Sequence, residues 1–210
     1  PPPFSSRRRH TRSASSSRGL GDVYKRQDEP QVCVTCHNPN ATDDRQRGGD
    51  PCVATLGDDD APIDMKYMIH AIHASGATGV PYQACGYNNS VHEYDFHYPG
   101  RLNNCEGCHE SGTYFPVNPS EVLGTTIDVG VDPTPIDDVA ISPNTAVCST
   151  CHTSDLARNH MVQNGGDFNA GKAADSSLIS SGVVTCELCH GAGRAADVEE
   201  VHGVRDFPLN

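Results

Sequence analysis

Apolar and polar positions along this chain keep no long period, and one stretch alone has clear helical spacing. Between Asp64 and Ala74, the apolar residues Met65, Met68, Ile69 and Ile72 fall at i, i+3, i+4 and i+7, one face of a helix. Asp64 after Pro62 and Ile63 supplies a cap, and Ser75-Gly76 supplies a stop. A second helix is expected through 154–163. The stretch 121–139 alternates weakly, through Val122, Thr125, Ile127, Val129 and Val131. It predicts one or two edge strands broken by Pro133 and Pro135. The remainder is crowded with Gly, Pro, Asn and Asp, which punctuate turns. The expected fold is mostly coil with short α-helices and minor β-strands around 121–140. Asp58-Asp59-Asp60 resembles a calcium loop in composition, and a solvated acidic loop is the preferred reading.

Composition makes this thin pattern a physical problem. Leu, Ile, Val and Phe make up about 18% of the chain, below the roughly 20% under which a charged chain is expected to stay disordered. There is no Trp. Such a polypeptide cannot bury enough apolar surface by itself to offset its ordering entropy. Either it stays disordered or something other than side chains fills its core.

Residues 1–27 stand apart. They are rich in Ser and Arg, hold seven bases and a single acid, and have no apolar period. A basic arm is one reading. The preferred one is an adapter-derived sequencing scar, because residues 17–27 back-translate into a string that resembles a transposase-type adapter in frame. The segment is excluded from fold reasoning, and His10 leaves the pool of candidate ligands with it. The domain then begins at residue 28 and runs to 210, and is expected to be truncated on its N-terminal side. The net charge of −12 becomes −18 without the scar. Nucleic acid is excluded as a partner, since it needs clustered Lys and Arg, and an anionic membrane surface is disfavoured. No apolar run approaches the roughly 18 residues that a membrane helix needs.

The chemistry lies in four copies of Cys-x-x-Cys-His. They are Cys33/Cys36/His37, Cys105/Cys108/His109, Cys148/Cys151/His152 and Cys186/Cys189/His190, here motifs 1 to 4. This is the attachment signature of haem c: two thioethers along one edge of the porphyrin, with the following His under the iron. Thioredoxin-like redox pairs and zinc sites also use Cys-x-x-Cys, but neither explains four following histidines. Four covalent haems would supply the apolar bulk that the side chains lack. Short helical turns are expected at each motif, since Cys residues at i and i+3 share a face.

Six other histidines remain as second ligands: His70, His73, His92, His97, His160 and His202. His70 and His73 stand three apart on the expected helix. They cannot close one iron from opposite sides, so each is assigned to a different haem. His160 and His202, after motifs 3 and 4, are also favoured. His92 and His97 are spares, for which a surface role is equally open. There are enough imidazoles to close all four irons as bis-His haems. A closed iron exchanges electrons without binding substrate, so electron transfer is favoured over an enzyme, with terminal metal reduction the most that is expected. Cys52 and Cys85 are left over. Haem attachment takes place outside the cytoplasm, where spare cysteines pair, and a Cys52–Cys85 bridge would contribute roughly 3–4 kcal/mol. Two free thiols are the alternative.

Met68-Ile69-His70-Ala71-Ile72-His73, Tyr98-Pro99-Gly100, Leu102-Asn103-Asn104-Cys105, Gly124-Thr125-Thr126, Ser142-Pro143-Asn144 and His160-Met161 together resemble the outer-membrane decahaem cytochromes, the OmcA/MtrC family. The resemblance covers most of 30–204. It implies the C-terminal pentahaem domain of a cell-surface protein, with a fifth motif upstream. It also implies as partners the other haem domains of the same protein, outer-membrane conduit proteins, and extracellular metal oxides or flavins. Location at the extracellular face of the outer membrane follows from it. The competing readings are a periplasmic multihaem carrier or the electron-input domain of a reductase, and a multihaem enzyme with an open iron.

Overall fold

Proline and glycine cut this chain into elements of two to fourteen residues. The computed structural model describes residues 30–57, 59–117, 122–127, 129, 137–171 and 184–204. Seven α-helices lie among them: α1 (Pro30–Cys33), α2 (Cys52–Leu56), α3 (Met65–Thr78), α4 (Pro143–Cys151), α5 (Asp155–Gln163), α6 (Glu187–His190) and α7 (Val198–Val201). The strands are β1 (Tyr82–Gly86), β2 (Ser90–Tyr94), β3 (Thr125–Ile127), β4 (Val139–Ile141) and β5 (Ala170–Gly171). The first two form an antiparallel hairpin, and the other three an antiparallel sheet in the order β3-β4-β5. Short helices and small sheets agree with the expected class. The segment 1–27, Asp58, Val131, Pro133 and Pro135 lie outside the described residues.

The helix expected at 64–74 exists but does not stop at Ser75-Gly76. It runs to Thr78 and ends at Gly79 in the left-handed region, φ 69°. Gly76 serves another purpose. Its N–H donates to the Phe96 carbonyl at 3.2 Å, and a Cβ there would stand 2.5 Å from that backbone. The glycine lets the 96–97 segment lie against the helix, and Ser75, fully buried, donates to the Ile72 carbonyl. Asp64 occupies the cap position, but its carboxylate makes no capping bond. It accepts instead from Thr125 Oγ1 at 2.6 Å and from Lys66, which also reaches the Gly124 carbonyl at 3.2 Å. Desolvation lowers the Lys66 pKa, and the Asp64 charge works against that shift. This buried pair pins the start of α3 to β3.

The second expected helix is α5, with Ser154 Oγ accepting from Ala157 N–H at 3.2 Å. The strand stretch yields β3 and reaches β4. The helix expected at motif 3 is α4, but the sequence reading missed its start five residues earlier, although Ser142 ahead of Pro143 is an N-cap position followed by proline at the first turn. It also missed the hairpin, whose turn carries Asn88 and Asn89 at φ 58° and 56°, a conformation asparagine tolerates.

The side-chain core is small. Ile141, Ala146 and Phe168 are its buried members, with Tyr67, Ile127 and Met161 packed against them. Arg158 lies 3.7 Å over the Phe168 ring. A polar node holds the other end: Asp43, 1% exposed, accepts from Arg47 Nε at 2.8 Å, Ala61 N–H at 2.7 Å and Cys85 N–H at 2.5 Å. Arg47 also pairs with Asp60. Cys52 and Cys85 form a disulfide across this node, Cα–Cα 5.8 Å.

Candidate haem sites

All four motifs fold into the same turn. In each, the His backbone N–H donates to the carbonyl of the first Cys, at 2.9 Å in every case. In motifs 1, 2 and 4 the second Cys N–H donates to that carbonyl too, at 3.1, 3.1 and 3.2 Å. One helical turn therefore spans both cysteines and the histidine of each motif. The turn ends a helix in motifs 1 and 3 (α1 and α4), is a 3-10 turn in motif 2, and forms α6 in motif 4. The helices expected at the motifs are present, but only in motifs 2 and 4 do they begin there.

Three motif histidines face a second imidazole. His109 faces His70 with ring centres 6.0 Å apart and planes at 25°. His152 faces His202 at 6.1 Å and 73°, and His190 faces His160 at 6.1 Å and 81°. Two imidazoles on opposite sides of one iron, each bonded at about 2 Å, place their ring centres about 6 Å apart. On a tetrahedral zinc they would stand at about 5 Å. The spacing fits axial haem ligation.

Ring orientation is held from behind. The Nδ1–H of His37 donates to the Ile63 carbonyl at 2.8 Å, His70 to Lys66 at 2.5 Å, His190 to Ala196 at 3.0 Å and His202 to Val198 at 2.8 Å. Each bond selects the tautomer that leaves Nε2 unprotonated for a metal. Burial, and then the facing His70, lowers the pKa of His109; burial, then His202 and His190, lowers that of His152. Both shifts favour the neutral, ligating form.

The surroundings suit a flat apolar group. Val32 before and Val34 inside motif 1, Leu102 before motif 2, Leu156 one turn from His160, Leu188 inside motif 4 and Val201 beside His202 all expose apolar surface. The α3 stripe of Met65, Met68, Ile69 and Ile72 is only half-buried by protein. This is the lining a porphyrin would cover.

The remaining histidines are placed as follows. His73 packs on Tyr98, ring centres 4.3 Å apart and planes tilted by 32°, and burial, then the neighbouring His70, lowers its pKa. Among the described residues, no second imidazole faces His37 or His73. His92 Nε2 lies 3.0 Å from Ser90 Oγ on the exposed hairpin, and His97 is also exposed. The acidic stretch is not wholly solvated, since the Asp60 side chain is 7% exposed and pairs with Arg47. Sequence reasoning overlooked Asp197, although Asp197 with Glu200 three residues on is an N-cap signature.

The motifs are linked in sequence order. The Met65 N–H donates to the His37 carbonyl at 2.9 Å, joining motif 1 to the helix that carries His70. Asn103 Nδ2 donates to the His202 carbonyl at 2.7 Å, joining motif 2 to the second ligand candidate of motif 3. The Cys148 thiol of motif 3 is pushed up to about 11 by burial and by the thiols of Cys186 and Cys151, so motifs 3 and 4 also adjoin.

No described helix is long and apolar enough to cross a membrane. No curated protein matches the chain. A family described as outer membrane cytochrome MtrC/MtrF-like, domains II/IV, matches residues 18–203. With that match over most of its length, and haem-type spacing at three of its four motifs, this chain belongs to the MtrC/MtrF-like family of outer membrane cytochromes.

Proposed function

We propose that this domain carries electrons through haems c attached at all four motifs and passes them, at the cell surface, toward extracellular acceptors such as metal oxides or flavins. The observation that carries this reading is the set of three imidazole pairs at 6.0–6.1 Å. Each such pair would hold a haem iron between its two imidazoles, which would suit outer-sphere electron exchange. A bound haem supplies an iron that accepts and releases single electrons.

The chain's own residues do the rest. Cys33, Cys36, Cys105, Cys108, Cys148, Cys151, Cys186 and Cys189 anchor the porphyrins. His37, His109, His152 and His190 are the proximal ligands, and His70, His202 and His160 close the irons of motifs 2, 3 and 4. His73 ligates an iron other than the one His70 serves. The backbone carbonyls behind the rings fix their orientation and raise their basicity. The other haem domains of the same protein and the conduit proteins of the outer membrane are the proposed electron partners, and the domain is read as the C-terminal one of its kind.

The test is a haem count with oxidised and reduced spectra on residues 28–210, matured in a host that attaches haem c. About four covalent haems, with motifs 2–4 low-spin, support the reading. Absence of haem, or high-spin iron at motifs 2–4, overturns it. Protease treatment of intact cells separates the surface reading from the periplasmic one: a surface protein is cleaved, a periplasmic one is protected.

A further inference from the structure

The ligand candidates of motifs 3 and 4 meet in one short turn. His190 Nδ1–H donates to the Ala196 carbonyl at 3.0 Å, and His202 Nδ1–H donates to the Val198 carbonyl at 2.8 Å. The two carbonyls flank a single residue, Asp197, which is 3% exposed. Asp197 Oδ2 accepts from Gly193 N–H at 2.7 Å and Oδ1 from Glu199 N–H at 2.9 Å, so one carboxylate closes the 193–197 loop and caps α7. The Ala196 N–H donates to the Cys189 carbonyl at 3.0 Å, tying the same turn to the attachment segment of motif 4. His202 stands one turn beyond the cap, its N–H donating to the Val198 carbonyl at 3.2 Å.

We propose that Asp197 is a positioning residue shared by two haems: by holding the 196–198 turn it orients His190 and His202 together, and its buried charge lowers the potentials of the haems at motifs 4 and 3 in common. The proposal rests on the haem-ligand reading above. Its physical content is separate. Hydrogen bonding from a carbonyl to the far side of a ligating imidazole tunes the iron. A carboxylate sheltered from water also acts more strongly than an exposed one, favouring the more positive, oxidised iron. His70 and His37 take their orienting carbonyls from Lys66 and Ile63, on and just before α3, so the ring-orienting bonds of motifs 1 and 2 lie outside this turn, and motif 2 touches it through Asn103 on the His202 carbonyl and Tyr114 on Glu199.

The experiment is a spectroscopic redox titration of the matured chain with Asp197→Asn and Asp197→Ser. The haems are assigned by separate His160→Met and His202→Met replacements, and the melting temperature is followed in parallel. Asp197→Asn keeps the size and removes the charge; Asp197→Ser keeps a cap to Glu199 and loses both the charge and the Gly193 bond. The expected result is an upward shift of the motif 3 and motif 4 haems in both variants, with the other two unmoved and the low-spin electron resonance of the same two haems altered. Movement of one haem alone, an equal shift of all four, or a lower melting temperature with unmoved potentials overturns the proposal. If the parent chain lacks low-spin haems at motifs 3 and 4, the ligand reading itself has failed, which is a different result.

Discussion

At the scale of single residues, the histidine pairing crosses. His160 follows motif 3 by eight residues yet faces His190 of motif 4, while His202 follows motif 4 yet faces His152 of motif 3. α5, which carries His160, begins three residues after motif 3, while a loop at 191–197 separates motif 4 from α7 and His202. The second imidazoles are nonetheless exchanged between the neighbouring motifs 3 and 4. The exchange sharpens a mutational outcome: His160→Met converts the haem at motif 4, not motif 3, into a higher-potential His/Met site, as a redox titration of the matured chain would show. Unchanged potentials would remove His160 from the ligand set. Ring angles give a second outcome. The near-parallel pair at motif 2 (25°) should yield a rhombic low-spin resonance, and the near-perpendicular pairs at motifs 3 and 4 (73° and 81°) strongly anisotropic ones. Frozen-solution electron resonance of the oxidised protein checks the division.

At the scale of elements, α3 and the hairpin are the supports that protein packing alone provides. Gly76→Ala would drive a Cβ into the Phe96 backbone, and overpacking of that kind costs about 1–3 kcal/mol. The melting temperature of the variant should fall accordingly, and His73, three residues before Gly76 and in ring contact with Tyr98, should shift with it. Opening the Cys52–Cys85 bridge, which spans 33 positions, should cost roughly 3–4 kcal/mol in the chain-entropy model. Denaturation of a Cys52→Ser, Cys85→Ser double variant measures it, and a loss near zero would mean that the Asp43 node already holds the hairpin unaided. The expected helices at 64–74 and 154–163 were legible because local spacing and caps specify them. The true end of α3 was not, because Gly76 answers to a segment twenty positions away rather than to its own turn.

At the scale of the whole molecule, two quantities stand out: a small side-chain core and an acidic surface. The net charge is −12 for the full chain, and it should steer small redox partners by sign. Cationic electron donors are expected to reduce the matured protein faster than anionic ones of similar potential, with the difference shrinking as salt screens the field. Stopped-flow reduction at two ionic strengths tests this, and equal rates would mean that the haem edges are shielded from the net charge. Linkage in sequence order, motif 1 to 2 through α3, 2 to 3 through Asn103 and His202, and 3 to 4 through the neighbouring thiols, gives the proposed electrons a continuous course.

What the sequence by itself determined is local. Four identical five-residue turns, the acidic balance, the shortage of apolar residues and the two leading helices all follow from spacing and composition, because each is set within a turn or two of chain. The family was legible in the same way, from short motifs at fixed offsets. Only the tertiary structure decided which imidazole faces which. It also decided that Asp64 turns from its cap to Thr125 and Lys66, that Cys52 meets Cys85, and that Asp197 stands between two ligand-bearing carbonyls. These are contacts between residues far apart in the chain or on different elements, and no local period encodes them. They exist because loops closed by buried carboxylates and a disulfide bring the segments together.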